Sequence, residues 1–366
     1  MLKLLYILTL CRMFNIPRPT LFPMAANLIS TLSHAPKNKT PSPKIAKYMQ
    51  EDDITQECQA LISTLPKEQD WVLTHIYQYQ GFWYPVRQLQ GVLSCQRHFQ
   101  ARDTDIILTT SPKCGTTWLK ALAYVVVNRK INLPRGDNHP LLSKNPHDLV
   151  PYLELKLYID HQDPNLTKLP SPRLFSTHLP VESLPLSIKE KDCKVVYLAR
   201  DPRDAFISLW HFSNKLRPQN CGDFPLEEAF DMFCKGVSFC GPFSDHVLSY
   251  WKYSLDNPKK VFFLKYEELK EQPKLYLKKL AEFWGCSFSL EEENNGVVEE
   301  ILGLCSFENL SNLEVNKNGK LSSGVHNKVF FRKGEVGDWA NYFTHDMIEK
   351  FDEFFVRKFH QGGLSL

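Results

Sequence analysis

An apolar run that ends in a turn of small residues and continues into a helix constrains this chain most. The run covers residues 105–110, the turn 111–115, and a helical pattern of apolar residues 117–127. A strand that leads directly into a helix is the building unit of α/β domains. The first turn of such a helix has N–H groups without partners and a partial positive charge, so it attracts phosphate. The sequence therefore predicts a phosphate-binding loop between a buried strand and a helix.

Three further apolar runs follow, at 173–177, 194–199 and 260–265, and helical patterns separate them. Strands that alternate with helices form a parallel sheet with both faces covered. We therefore predict a single three-layer α/β domain with a central parallel sheet and a P-loop-like strand–loop–helix. Ligands of such sheets bind at the carboxyl ends of the strands. Four polar residues stand just past these ends: Lys113, His178, Arg200 and Tyr266.

Composition excludes several functional classes. Of the 366 residues 43% are hydrophobic, enough for a large core, and the net charge of +3 is too small to indicate nucleic-acid binding. The ten cysteines lack the spacing of metal ligands or of redox pairs. We therefore expect reduced thiols, no metal site and a cytoplasmic protein.

The first fifty residues contain no aspartate or glutamate. Their apolar run at 4–10 is too short to span a membrane, and no small-residue cleavage site follows it. We interpret residues 1–50 as a disordered leader and 51–366 as the folded domain. Organelle targeting is the alternative, and Met24 offers a second start.

Two segments between the predicted elements are candidates for binding an acceptor. Seven prolines between residues 132 and 173 argue against regular structure there, and long irregular segments in compact domains often serve as lids or binding loops. The aromatic segment 79–85 is interpreted as a core strand, as one wall of an acceptor pocket, or as both.

The loop 111–118 is not a nucleotide-hydrolase P-loop, because Lys113 precedes Gly115 and no hydroxyl follows a Gly-Lys pair to hold Mg²⁺. This order disfavours a metal-dependent P-loop phosphotransferase.

The sequence Ser111-Pro-Lys-Cys-Gly-Thr-Thr-Trp118 resembles the 5′-phosphosulfate loop of the cytosolic sulfotransferases, usually written TYPKSGTTW. A second family motif, RKGxxGDW, matches residues 332–339. The resemblance covers about residue 65 to the C-terminus and is most like the plant flavonol and hydroxyjasmonate branch. It implies transfer of a sulfuryl group from 3′-phosphoadenosine 5′-phosphosulfate (PAPS) to a hydroxyl of a small phenolic, flavonoid, hydroxyjasmonate or steroid-like acceptor. The alternative is a pseudo-enzyme that binds the nucleotide without turnover.

The resemblance also implies roles for individual residues. His178 matches the catalytic base, and Lys113 matches the lysine at the phosphosulfate and its leaving oxygen. Arg200 with Ser208 matches the pair that binds the 3′ phosphate, and Ser306 is a weaker match to another nucleotide contact. The remaining matches to nucleotide-binding residues are Cys114, Gly115, Thr116, Thr117, Trp118, Tyr266, Arg332, Lys333 and Gly334. No metal, nucleic acid or membrane is implied as a partner.

This chain departs from the family pattern at several positions. Asp201 replaces an asparagine next to Arg200, and we expect it either to disturb the phosphate site or to pair with Arg203. Ser244 replaces a tryptophan of plant members, which predicts an altered acceptor pocket. The family's dimer motif, expected at 340–349, is degraded, so we predict a monomer or a weak dimer.

Overall fold

The structure, a computed structural model that describes residues 46–72 and 74–366, is built on a four-stranded parallel sheet. A separate three-stranded antiparallel sheet precedes it. The strands in chain order are β1 (Lys67–Gln69), β2 (His75–Tyr79), β3 (Phe82–Pro85), β4 (Ile106–Thr109), β5 (Leu174–Thr177), β6 (Lys194–Ala199) and β7 (Val261–Lys265). The larger sheet has the order β5-β4-β6-β7, which confirms the predicted parallel sheet of an α/β fold.

The register of this sheet aligns the carboxyl ends of its strands. Thr109 at the end of β4 pairs with Thr177 of β5 on one side and with Tyr197 of β6 on the other. At the end of β6, Ala199 pairs with Lys265 of β7. The residues that follow the four strands therefore emerge at one edge, as the sequence predicted.

Helices fill the connections between the strands. The α-helices are α1 (Gln56–Ile62), α2 (Val86–His98), α3 (Thr116–Asn128), α4 (Pro146–Leu149), α5 (Tyr158–Asp160), α6 (Leu186–Glu190), α7 (Pro202–Leu216), α8 (Leu226–Cys234), α9 (Phe243–Asp256), α10 (Tyr266–Glu271), α11 (Pro273–Phe283), α12 (Leu290–Asn294), α13 (Val297–Leu304), α14 (Phe307–Asn312), α15 (Glu314–Asn318), α16 (His345–Phe351) and α17 (Arg357–Gln361). None of the helices among the described residues combines the length and the hydrophobicity that a membrane span requires.

Both faces of the parallel sheet are buried, which explains why its strands are apolar throughout rather than alternating. Ile107 and Tyr197 point into one buried cluster, whereas their neighbours Leu108 and Leu198 point into a second cluster on the opposite face. Successive side chains of a strand point to opposite faces, so a strand covered on both sides needs apolar residues at every position.

The antiparallel sheet was only partly predicted. β3 is buried at all of its positions, which confirms the interpretation of the aromatic segment as a core strand. Its partner β2 pairs in turn with β1, whose three residues are all exposed. Because β1 is short and polar, its sequence carries no strand signal.

Residues 46–50 belong to the folded part of the chain, although the sequence analysis placed them in the leader. Ala46, Tyr48 and Met49 are buried against Val325 and other apolar residues, and they form a third apolar cluster. Order therefore extends at least five residues before the predicted boundary at Glu51. The rest of the predicted leader, residues 1–45 with Met24, lies outside the described residues.

The proline-rich segment contains short helical turns rather than continuous structure, as predicted. A 3₁₀ turn at Pro140–Leu142, α4 and a π-helical turn at Leu153–Leu157 follow one another. Asn145 caps α4 by accepting a hydrogen bond from the His147 N–H at 2.9 Å. This local geometry brings His147 and Tyr152 to the carboxyl edge of the parallel sheet.

A buried ion pair fixes the opposite end of strands β4 and β5. Arg173 Nε donates to Asp105 Oδ1 at 2.8 Å, and both side chains are at most 4% exposed. Arg173 Nη2 also donates to the carbonyl of Gln100 at 2.9 Å. The aspartate would remain buried and unpaired if the arginine were removed.

We therefore expect Arg173→Leu to lower the free energy of unfolding by about 3–5 kcal/mol, since a buried charge loses its partner. Urea denaturation of the purified protein measures this change. Arg135→Leu is the matched control, because Arg135 is 74% exposed in its pair with Glu300 and should change stability far less. Equal losses in both variants would contradict this account.

Candidate functional site

A cavity of about 350 Å³ opens at the carboxyl edge of the parallel sheet. It is lined by residues that lie far apart in the sequence, from Tyr48 to Gly334. The predicted residues in its wall are Lys113, Gly115, Thr116, Thr117, Trp118, His178, Arg200, Ser208, Tyr266, Ser306, Arg332, Lys333 and Gly334. The structure thus brings the predicted site residues together, with the exception of Cys114.

The loop between β4 and α3 has an unusual backbone. Lys113 and Gly115 have positive φ angles of 69° and 100°, and α3 begins directly afterwards at Thr116. A Cβ atom on Gly115 would lie 2.7 Å from Cδ2 of Tyr266. Only glycine combines this backbone with so close a contact. The first turn of α3 therefore opens towards the cavity.

Cys114 is the predicted loop residue whose side chain does not line the cavity. It is fully buried, and its Sγ lies 3.9 Å from the carbonyl oxygen of Pro112. Burial raises the pKa of the thiol well above its ordinary value, so the side chain is uncharged. Any contact of Cys114 with a ligand would therefore come from its backbone.

The ammonium group of Lys113 lies among aromatic rings and other cations. Its Nζ lies 4.2 Å from the ring centre of Phe212 and 5.9 Å from that of Phe330. Burial lowers the pKa of Lys113 to about 7, and the positive charges of Lys215 and Arg200 contribute to this shift. An anion in the cavity would restore the charged form.

Arg200 follows β6 and is held on three sides. Its guanidinium lies 4.7 Å from the ring centre of Tyr266, and its Nη1 and Nη2 donate to the carbonyls of Lys113 (3.3 Å) and Glu335 (2.7 Å). Ser208 lies two turns further along α7, on the cavity side. Arg200 thus connects the loop after β4 to the C-terminal segment.

The C-terminal motif is held by two aspartates to which the sequence analysis assigned no role. Asp338 accepts from Arg332 Nη1 at 2.5 Å and from Lys333 Nζ at 2.6 Å. Burial alone would raise the pKa of Asp338, but these hydrogen bonds hold it at about 2. Asp204 of α7 accepts from the N–H groups of Gly337 (2.8 Å) and Trp339 (3.0 Å). Both cations of the motif are therefore positioned before any ligand binds.

Buried donors in this wall still have unused hydrogen-bonding capacity. Arg200 Nε and Arg332 Nε are buried without a hydrogen-bond partner among the described residues. A buried donor without a partner is costly unless a ligand or water satisfies it. Together with Lys113, these groups fit a ligand that carries several negative charges.

His178 follows β5, and its tautomer is fixed by the backbone. Its Nδ1 lies 2.8 Å from the carbonyl oxygen of Thr110, which only accepts, so Nδ1 carries the hydrogen. Its Nε2 is therefore the basic nitrogen, and it accepts from the Tyr152 hydroxyl at 2.9 Å. Burial lowers the pKa of His178 to about 3, so the imidazole is neutral at physiological pH and its Nε2 carries no hydrogen.

A second set of polar side chains behind the loop was not predicted. His147 Nε2 lies 3.0 Å from Thr117 Oγ1, and His147 Nδ1 lies 2.9 Å from Nζ of the buried Lys120. The ring of Tyr152 contacts both residues. The sequence offered no signal for this set, because His147 lies in the proline-rich segment and Lys120 occupies an ordinary helical position.

The departures Asp201 and Ser244 both lie outside the cavity wall. Asp201 caps α7 and pairs with Arg203 at 2.6 Å, which is the second of the two outcomes expected for it. Ser244 is buried in the first turn of α9. Neither side chain stands among the described residues that line the cavity, so neither disturbs its wall directly.

Within the described residues, the structure contains no cluster of three or more His, Cys, Asp or Glu side chains that could hold a metal ion. The described cysteines are free thiols.

Comparison with known proteins identifies the family. The model of the sulfotransferase domain matches residues 103–363. Cytosolic sulfotransferase 12 of Arabidopsis thaliana is 50% identical over 325 residues, which are 88% of this chain and 98% of that protein. Cytosolic sulfotransferase 5 of the same plant is 50% identical over 315 residues, covering 86% and 98% of the two chains.

Solved structures agree with these sequence matches. The crystal structure of a putative steroid sulphotransferase from Arabidopsis thaliana has a TM-score of 0.69 and 43% identity, over 88% of this chain and 99% of that one. A mouse sulfotransferase crystallised with PAP has a TM-score of 0.59 and 29% identity, over 78% and 95% of the two chains. The family match, its high coverage and the cationic cavity lead to one conclusion: the chain belongs to the sulfotransferase domain family and is a PAPS-dependent sulfotransferase of the plant type.

Proposed function

We propose that the cavity binds PAPS along α3, α7 and the C-terminal motif and transfers its sulfuryl group to a hydroxyl of a small apolar acceptor. The observation that carries this proposal is that the basic nitrogen of His178 and the cation of Lys113 line the same cavity. A base for the acceptor and a cation for the leaving oxygen are the two groups that such a transfer needs.

The nucleotide would contact both sequence motifs, residues 111–118 and 332–339. Arg200, Ser208 and Arg332 would bind the 3′ phosphate with Lys333 and the backbone of Gly334, while the first turn of α3 would bind the 5′ phosphate. Trp118, whose ring meets that of Tyr266 edge to face at 5.8 Å, would stack on the adenine.

In the reaction, the acceptor hydroxyl gives its proton to His178 Nε2 as its oxygen forms a bond to sulfur. The bond between sulfur and the bridging oxygen of PAPS breaks, and 3′,5′-bisphosphoadenosine leaves. Lys113 stabilises the negative charge that develops on this oxygen, in the same way that cations act in phosphoryl transfer. The acceptor would displace the Tyr152 hydroxyl as the partner of His178 Nε2.

The acceptor end of the cavity is apolar and aromatic. Seven members of the third apolar cluster and its surroundings line the cavity: Tyr48, Leu155, Phe212, Phe239, Val325, Val329 and Phe330. This lining favours flat, hydrophobic alcohols and phenols over sugars or other strongly hydrated hydroxyl compounds. Flavonoid, hydroxyjasmonate and steroid-like hydroxyls all fit this description, and the 43% identical relative is described as a putative steroid sulphotransferase.

We also infer a cytosolic location, since the Arabidopsis relatives are named cytosolic sulfotransferases. For the assembly we propose a monomer or a weak dimer. Within the degraded dimer motif, Thr344 caps α16, and His345 lies 3.2 Å from Glu349 of the same helix. Residues 51–366 remain our proposal for the minimal domain, extended to residue 46 by its packing.

We expect His178→Ala to reduce kcat by roughly 10²–10⁴-fold, because the acceptor loses its base. Affinity for 3′,5′-bisphosphoadenosine should change little. Release of the bisphosphate from PAPS in the presence of phenolic acceptors measures turnover, and calorimetry measures binding. His360→Ala on the exposed end of α17 is the control. Undiminished turnover in His178→Ala would refute the assignment of the base.

We expect binding of the bisphosphate at pH 8 to take up protons. The pKa of Lys113 in the free protein is about 7, so most of the amine is neutral at pH 8. A bound anion favours the charged form and raises this pKa, so about 0.9 proton per site should be absorbed by Lys113. Because binding takes up protons, the affinity for the bisphosphate falls as the pH rises above 7.

Calorimetric titrations in HEPES and Tris, which differ in ionisation enthalpy, measure the number of protons. In Lys113→Arg the side chain stays charged at all working pH values, and the uptake should largely disappear. An unchanged uptake in Lys113→Arg would show that another group titrates.

We expect Phe239→Ala to lower kcat/KM for flavonoid and steroid acceptors by at least about tenfold, since an aromatic wall of the acceptor end is lost. The dissociation constant of the bisphosphate should stay unchanged. Phe354→Ala is the control, because Phe354 is 44% exposed and lies outside the cavity wall. Equal kinetics in Phe239→Ala and the wild type would place the acceptor elsewhere.

A further inference from the structure

Lys120 is a buried lysine whose position the proposed reaction does not explain. Its side chain on α3 is fully buried, and the negative charges of Glu154 and Asp148 lie near enough to act on it. Its Nζ lies 2.9 Å from Nδ1 of His147 and 3.3 Å from the ring centre of Tyr152. Burial lowers the pKa of Lys120 well below its ordinary value, although the charges of Glu154 and Asp148 oppose this shift. Because a buried amine is costly, its contacts with His147 and Tyr152 indicate a specific role.

His147 connects this lysine to the nucleotide loop. The imidazole is buried, and its two nitrogens have different partners: Nδ1 faces Lys120, and Nε2 lies 3.0 Å from Thr117 Oγ1. Burial lowers the pKa of His147 well below its ordinary value, and the charge of Lys120 adds to the shift. A neutral imidazole has one donor and one acceptor nitrogen, so the hydrogen bonds along this chain share one direction.

We propose that Lys120 and His147 are positioning residues that direct the hydroxyl hydrogen of Thr117 into the cavity. Lys120 donates to His147 Nδ1, and His147 Nε2–H donates to Thr117 Oγ1. Because the threonine oxygen then accepts, its hydrogen is free to donate to the 5′ phosphosulfate. This proposal rests on the proposed function, since the donor matters only when an anion is bound.

Lys120 also contacts the side of the cavity at which the acceptor would bind. Its Nζ lies over the ring of Tyr152, whose hydroxyl bonds to His178 Nε2, and the His147 ring is nearly parallel to that of Tyr152 at 5.4 Å. A cation over an aromatic face is attractive, particularly when both are buried. Lys120 therefore contacts Tyr152, whose hydroxyl is the hydrogen-bond partner of His178. Through His147 it also acts on Thr117, the proposed donor to the nucleotide.

If the hydrogen bonds between Lys120, His147 and Thr117 run in the reverse direction, the hydroxyl of Thr117 cannot donate into the cavity. A neutral Lys120 would accept from His147 Nδ1–H, and Thr117 would then donate to His147 Nε2. In that arrangement the hydroxyl of Thr117 has no hydrogen for the nucleotide. The tautomer of His147 therefore decides between the two directions.

Two substitutions of His147 test the roles of its two ring nitrogens separately. The amide nitrogen of His147→Gln can take the place of Nε2 and keep the donor towards Thr117, whereas His147→Asn replaces only the Nδ1 side. We expect 3′,5′-bisphosphoadenosine to bind His147→Gln within about threefold of the wild type and His147→Asn at least about tenfold more weakly, the loss of one charge-assisted donor.

Thr117→Val and its combination with His147→Asn complete a double-mutant cycle. The combined variant should bind the bisphosphate no more weakly than Thr117→Val alone, because both changes remove the same donor. In parallel, ¹⁵N NMR of labelled histidine should show His147 as the Nε2–H tautomer in the wild type and a changed tautomer ratio in Lys120→Met.

His139→Asn and His139→Gln are the matched controls, since His139 is a buried histidine of the same segment outside the cavity wall. Both should leave bisphosphate affinity unchanged even if they lower the melting temperature. An Nδ1–H tautomer of His147, equal affinities of His147→Gln and His147→Asn, or additive effects in the cycle would overturn the relay. If the wild type itself fails to bind the bisphosphate, the proposed function fails and the relay with it.

Discussion

The carboxylate of Asp204 joins the parts of the site that the sequence keeps furthest apart. It accepts from the backbone of Gly337 and Trp339 and lies 3.5 Å from Arg200 Nη2. Through these contacts the C-terminal motif is attached to α7, which follows β6, one of the two inner strands of the sheet. Arg200 adds a second connection, because it donates to the carbonyls of Lys113 and Glu335. Asp204 and Arg200 thus link the fold of the sheet to the geometry of the cavity.

The site contains several positively charged side chains and few negatively charged ones to balance them. Asp338 pairs with Arg332 and Lys333, and Asp204 pairs with Arg200, whereas the amine of Lys113 lies near aromatic rings and other cations. Burial is the main cause of the lowered pKa of Lys113, and the nearby positive charges add to it. A dianionic ligand would offset these charges, so binding of the nucleotide and protonation of the loop are coupled by the electrostatics of the free protein.

The sequence predicted the sheet and the strand-end residues because each depends on a local pattern. Runs such as 194–199 are apolar at every position, and a run covered on both faces has no other option. The strand β1 was missed because its residues are exposed and polar. Cys114 was assigned to the ligand from its place in the loop, but the side chain's direction depends on the positive φ of Lys113, which a sequence does not display. The partners of His147 were missed because they meet across α3 and α4, and no periodic pattern connects them.

The two histidines at the cavity differ in what fixes their protonation. The Nδ1 hydrogen of His178 points to the carbonyl of Thr110, directly after β4, so the fold of the backbone sets which nitrogen is basic. His147 has side-chain partners on both nitrogens, and each partner can donate or accept. Its tautomer therefore depends on the charge of Lys120. The orientation of the proposed base is thus fixed by the sheet, whereas the proposed donor at the nucleotide loop depends on the protonation of one buried amine.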